Sequence, residues 1–139
     1  MRRYGLTLLI ALAPVSANAA DIKGAWFTEA GKARVVMQSC GSNVCGKIVW
    51  LKEPNDASGK PLVDGLNKDK SLRTRPIIGL QLTELKAAEN GSWKGEIYNP
   101  EDGKSYSAEM NLQRDGSLLI TGCMFGGFLC EDQTWTPAK

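Results

Sequence analysis

The sequence predicts an all-β domain: an antiparallel up-and-down β-barrel of about eight strands, stapled by two disulfides. Three observations carry this reading. Apolar residues recur with a period of two, the links between such runs are short and rich in turn residues, and four cysteines flank two of those links. The clearest run alternates Tyr106, Ala108, Met110 and Leu112 with Ser107, Glu109, Asn111 and Gln113, the pattern of a half-buried strand. Before it, Trp93, Gly95 and Ile97 alternate with Lys94 and Glu96. NPEDGK (99–104) joins the two runs and places Pro, Asp and Gly as a tight turn demands.

Ahead of the first strand the chain reads as a secretory leader. Arg2 and Arg3 form a basic start, Leu6 to Ala13 an apolar run that Pro14 ends, and Ala17-Asn18-Ala19 a small-x-small cleavage pattern. The apolar run is half of the ~20 residues that a membrane-spanning helix needs, and no other segment approaches one. No cysteine stands at the cleavage site to carry a lipid anchor. The expected organisation is a leader over 1–19 and a single barrel domain over 20–139, in a periplasmic or secreted protein. All fifteen acidic residues follow the leader, while Arg2 and Arg3 leave with it, so the remainder balances fifteen basic against fifteen acidic groups. Nucleic-acid binding thereby loses its electrostatic support.

In chain order, the same periodicity gives strands over 24–29, 33–39, 46–51, 76–84, 92–98, 104–113, 117–123 and 128–136. The links EAGK, CGSNVC, AAENG, NPEDGK, RDG and FGG are too short for parallel crossovers, which take a dozen residues or more. Sequential antiparallel pairing therefore follows, closed as a barrel; a two-sheet sandwich is the alternative. One link is long, residues 52–75, and loops beyond about 12–15 residues are usually functional or flexible. A short helix over 69–74 would close one end of the barrel.

An even cysteine count in an exported chain reads as disulfides. Local pairing, Cys40 with Cys45 and Cys123 with Cys130, is favoured because each pair flanks a turn, and partners across a hairpin lie at disulfide distance. Such short loops give about 2–2.5 kcal/mol each, whereas a Cys40–Cys123 bridge would give about 4.6, so energy alone leaves the long pairing open. Metal ligation is disfavoured: the second pair has six residues between its cysteines, and the chain has no histidine.

Gly24-Ala25-Trp26 opens the first strand, and G-x-W there resembles the first signature of lipocalin-like barrels. More specifically, the chain resembles the exported bacterial family of domain of unknown function 2147. The matching runs are GAWFTEAGKARVVMQSCGSNVCGKIVWL, the D-G-x-N run at 64–67, R-x-R-P at 73–76, Gly79, WKGEIYNPEDGKSY at 93–106, and Gln133-Thr134-Trp135. The resemblance implies a small β-barrel and supplies no activity. Relatives tend to finish W-T-R, where this chain has Pro137 after Trp135-Thr136. The cation that packs over the G-x-W tryptophan in lipocalin-like barrels would then come from Lys139 or Arg34.

Trp26, Trp50, Trp93 and Tyr106 are candidate ligand contacts in a barrel interior, although large aromatics on strands serve first as core, Trp26 and Trp135 included. An eight-strand barrel is either filled by side chains or holds one small ligand. In the long link, Arg73 and Arg75 alternate on one side of an extended segment and offer two guanidinium forks to a carboxylate or phosphate. The leading alternative pairs them with Asp64 and Asp69, with Asn67 beside them, to hold the loop over the barrel mouth. A calcium loop from Asp64, Asn67 and Asp69 fails on spacing and on the flanking Lys68 and Lys70. Glu101 and Asp102 are consecutive turn residues and do not promise the facing carboxylates of a glycosidase. CMFGGFLC is apolar for a turn; it either folds into the barrel end, the favoured reading, or presents an exposed tip.

With no histidine, no free cysteine expected and no G-x-S-x-G, the usual nucleophile–base pairs are absent, and catalysis is not expected. No cofactor or metal is implied. The expected role is binding of a small apolar or amphipathic ligand, with Arg73 and Arg75 at the rim. The runner-up is a protein-interaction module of the envelope, an inhibitor or assembly factor, with a filled core and exposed loop tips.

Overall fold

The computed structural model describes residues 19–139, with Gly5 and Ile10 ahead of them; apart from Gly5, Ile10 and Ala19, the predicted leader lies outside the described residues. Eight strands follow in order: β1 Gly24–Phe27, β2 Ala33–Cys40, β3 Asn43–Leu51, β4 Gln81–Ala87, β5 Trp93–Asn99, β6 Lys104–Leu112, β7 Leu118–Met124 and β8 Leu129–Pro137. Each pairs antiparallel with the next, and β1 pairs with β8, through Trp26↔Pro137 and Phe27↔Thr136, to close the barrel. The sandwich alternative falls. Among the described residues no helix is long and apolar enough to cross a membrane.

Two disulfides, Cys40–Cys45 and Cys123–Cys130, have the local connectivity. Cys123 and Cys130 are direct cross-strand partners, 4.1 Å apart at Cα. Cys40 and Cys45 instead sit diagonally, because Cys40 pairs with Asn43 and Cys45 with Gln38, and their Cα atoms are 5.8 Å apart. Cys45 pairs with Glu84, and the outward row continues through Glu96 and Ser107 to Cys123, so both bridges lie on the outer wall.

The period-two pattern sends Val35, Met37, Ile48, Leu85, Met110, Leu118, Ile120 and Trp135 into one buried cluster. The interior is packed at the level of single methyl groups: a Cβ built on Gly46 would come within 2.6 Å of the Met37 sulfur and 3.2 Å of a Val35 methyl. Leu112 departs from its strand's alternation and is partly exposed, because it ends β6.

The two ends of the barrel are built differently. At the end where β1 starts, residues 20–23 run across the opening. The Ala20 amide donates to the Gly91 carbonyl (3.1 Å), and the Trp93 indole N–H donates to the Ala20 carbonyl (2.7 Å). β1 and β5 are four strands apart in a ring of eight, so this segment is a strap across the floor. Ile22, fully buried, plugs it, and the Trp26 indole N–H donates to the Ile22 carbonyl at 2.9 Å. At the other end stand the long link and the β5–β6 and β7–β8 turns.

The expected strand over 76–84 is displaced. Residues 76–80 turn inward, with Gly79 at φ +97° and its N–H donating to the Ile48 carbonyl, and Ile77 and Leu80 join the core. The strand begins only at Gln81 and runs on through Lys86 and Ala87, where pairing with β5 overrides their weak β-propensity. The expected helix over 69–74 is a single 3₁₀ turn, Lys70–Leu72.

Candidate functional site

The long link is itself a ribbon. Val63 pairs with Pro76, the Asp64 amide donates to the Arg75 carbonyl (2.9 Å), and the Ile77 amide donates to the Leu62 carbonyl (3.1 Å). Leu62 and Ile77 anchor its base on the core, and residues 64–75 form its tip. The tip lies on the β5–β6 hairpin, and Gly103 makes this approach feasible: a Cβ there would collide with the Leu66 carbonyl.

Asp64 is the lock. It is wholly buried, and its two oxygens take three donors: Tyr98 Oη at 2.6 Å, Asn67 Nδ2 at 2.8 Å and Arg75 Nε at 2.9 Å. Burial works against its charge, yet the bonds from Tyr98, Asn67 and Arg75, with the arginine's charge, outweigh that and hold the carboxyl below its usual range. Tyr98 is pushed up, first by burial and then by its bond to Asp64. The Arg75 guanidinium also lies over the Tyr98 ring, 5.7 Å from its centroid.

Arg73 does not pair with Asp69. Its Nε donates to the Asn67 carbonyl (2.7 Å), whereas Asp69 is exposed and caps the 3₁₀ turn by accepting from the Ser71 amide and hydroxyl. Asn67 is fully engaged, giving Nδ2 to Asp64 and taking the Asp69 amide on Oδ1, so Asp64, Asn67 and Asp69 do not converge on a common ligand point. The one grouping of metal-ligating residue types among the described residues is Cys40, Cys45 and Glu84, and its sulfurs are spent in a disulfide.

Between the tip and the outer face of the β5–β6 hairpin lies a solvent-open pocket of ≈ 450 Å³, lined by Asn67, Lys68, Arg75, Tyr98, Gly103 and Ser105. Its charged residues are both cations. Asp64 takes the Nε of Arg75, and among the described residues the terminal nitrogens of this pocket-lining arginine have no hydrogen-bond partner. A recess of ≈ 340 Å³ shares Tyr98 and Ser105 with it and runs on between β4 and β5.

The remaining sequence candidates are scattered. Trp26 and Trp135 point inward and are buried as core, and Trp93 is tied to the floor strap. Trp50 is on the outer wall. The extra residue Val49, between the pairs Val35↔Ile48 and Arg34↔Trp50, makes a bulge that turns Trp50 out of the alternation. There the Arg34 guanidinium lies over the rings of Phe27 (5.1 Å) and Trp50 (5.8 Å). Among the described residues no cation lies over Trp26, so neither Lys139 nor Arg34 takes the closing position. Tyr106 faces inward and bonds Asp102 of the neighbouring turn; that bond, with burial and the charges of Asp102 and Glu131, pushes it up to about 12. Glu101 of the same turn forms an exposed pair with Lys32 at 3.8 Å. The CMFGGFLC turn does not fold into the barrel end: Phe125 and Phe128 are 77% and 95% exposed.

Sequence reasoning missed Tyr98, Lys68 and Ser105. The signal for Tyr98 was its place beside the inward Ile97: a large aromatic on the outer face needs a cover, and the long link supplies one.

A closed eight-strand up-and-down barrel with G-x-W on its first strand, a plugged floor and one long link at the opposite end is a lipocalin-like fold. The chain belongs to the family described as "Uncharacterized protein conserved in bacteria (DUF2147)", which matches residues 24–137. Among solved structures it is similar to one described as "Protein HP1028 from the human pathogen Helicobacter pylori belongs to the lipocalin family". The identity is 23% and the TM-score 0.73, over 87% of this chain and 85% of that one, a likeness of fold. Comparison with curated proteins gives no match.

Proposed function

We propose that this is an exported, non-enzymatic binding protein that holds a small anionic or amphipathic ligand at the loop-bearing end, its acidic head against Arg75. One observation carries the reading: a buried carboxylate fixes Arg75 by Nε where that arginine, beside Lys68, lines a pocket of ≈ 450 Å³. An arginine already positioned loses little conformational freedom on binding. The site is on the outer wall, because core side chains occupy the interior. The absence of histidine from the sequence and the pairing of all four cysteines support binding over catalysis, and two disulfides suit an oxidising compartment.

Calorimetric titration of decanoate against decanol tests this. Decanoate should bind at least tenfold more tightly, and Arg75→Lys, which keeps the charge beside Asp64 but removes the fork, should erase most of that preference. Equal binding of acid and alcohol, or no binding of either, would sink the proposal. A second reading, an interaction module working through surface loops, draws on the filled interior and the exposed β7–β8 turn.

A further inference from the structure

We infer that the β7–β8 turn is a membrane-docking tip, which sets the loop-bearing end of the barrel against an anionic lipid surface. Between Cys123 and Cys130 the chain reads MFGGFL, with no charged or hydrogen-bonding side chain. Phe125, Phe128 and Leu129 are 77%, 95% and 59% exposed. The display is held in place. The disulfide joins directly opposed residues, and the Phe128 amide closes the turn onto the Met124 carbonyl at 3.1 Å. Phe125 sits at φ +53°, a left-handed conformation that a bulky residue rarely adopts and that glycine or asparagine would occupy with less strain. Exposure and backbone strain are both unfavourable for folding, so the two rings stand where only a contact outside the chain rewards them.

The chemistry fits lipid better than protein. Two aromatic rings and a leucine offer on the order of 500 Å², below the roughly 800 Å² per partner of a specific protein interface. Insertion into a bilayer interface needs neither shape complementarity nor polar partners, and reaches about 5–10 Å deep. Val63, Leu66 and Ile78 add partly exposed apolar surface at the same end. Lys68 and Lys70 are exposed there and make no ion pair among the described residues, which favours anionic headgroups. Glu131 and Asp132 lie behind the tip along β8, Glu131 by roughly 10 Å at ~3.3 Å per residue, so the rings meet the lipid first.

The test uses protein expressed from the full sequence, with its disulfides formed, sedimented with phosphatidylglycerol–phosphatidylethanolamine vesicles and with phosphatidylcholine vesicles. Wild type should partition onto the anionic vesicles at least tenfold more strongly than Phe125→Asn/Phe128→Ser. That variant should melt no lower than wild type and keep its decanoate affinity. Lys70→Gln should weaken partitioning onto anionic vesicles a few-fold and leave phosphatidylcholine unaffected. The inference is overturned if wild type ignores vesicles, or if the double variant partitions as wild type does. It is equally overturned if wild type ignores vesicles while a photo-crosslinker at position 128 captures an envelope protein, which would make the tip a protein-docking site.

Discussion

The floor of the barrel and its loop-bearing end solve the same problem, closing a ring of eight strands, by opposite means. The floor is sealed mainly with apolar volume: Ile22, Trp26 and Trp135 are buried, and polar bonds serve to seat the indole N–H groups of Trp26, Trp93 and Trp135 and to tie down the strap. The far end is closed by a buried carboxylate with three donors, and it leaves phenylalanines in solvent. Apolar closure is non-directional and stable. A charge-assisted lock is directional, so it can aim an arginine and respond to pH, at the cost of depending on every partner. The difference separates the part of the molecule that secures the fold from the part suited to meet a ligand.

The comparison breaks most directly at Trp135. Trp135→Ala should cost about 3–5 kcal/mol, read by denaturant unfolding, because the cavity opens where no loop can collapse into it. A loss of under about 1 kcal/mol would mean the floor is not the fold's anchor.

Asp64→Ala should cost less, about 2 kcal/mol, since Arg75 is partly exposed and water can reach it once the carboxylate is gone. The loss should be local: amide exchange should quicken over residues 62–77 while β6 and β7 keep their protection. The same lock sets a pH dependence. Asp64's folded pKa lies below that of a free aspartate, ~4, so its contribution is fully present above about pH 4 and is lost as pH falls through the lower folded value. Tyr106 acts in the opposite direction. Its stabilisation is full below about pH 10 and fades as pH rises toward about 12. Uniform acid unfolding of all strands, with no earlier release of 62–77, would merge the two ends into one cooperative unit.

The disulfides give an effect of similar size and the most symmetric one. Cys40–Cys45 staples the turn beside the floor, and Cys123–Cys130 the turn at the loop-bearing end. Either Cys→Ser pair should cost about 2 kcal/mol in thermal unfolding, because the closed loops are similarly short. Only the loss of the second should reduce vesicle partitioning.

The strands were legible because period-two alternation is a local property, and the hairpin of β5 and β6 is written out in its turn residues. What failed was non-local. Trp50 was expected to face the interior, and a one-residue bulge on β3 reversed it. PIIGL reads as strand, yet Gly79 folds its apolar side chains into the mouth. Arg75 and Asp64 were both visible, but Tyr98, 34 residues from Asp64, joins them only once the long link has docked. The β7–β8 turn misled for a physical reason: an apolar segment reads as core, and the rings stand in solvent.

The strap has a practical corollary. Residues 20–23 cross the floor from β5 to β1, and near the other terminus the Ala138 amide donates to the Ala25 carbonyl at 2.9 Å, so both ends of the folded domain leave from the sealed side. A purification handle, a fluorophore linker or a sensor surface coupled to either terminus therefore holds the barrel by its floor. Arg75 and the phenylalanine tip then face the bulk solution, unobstructed by the attachment.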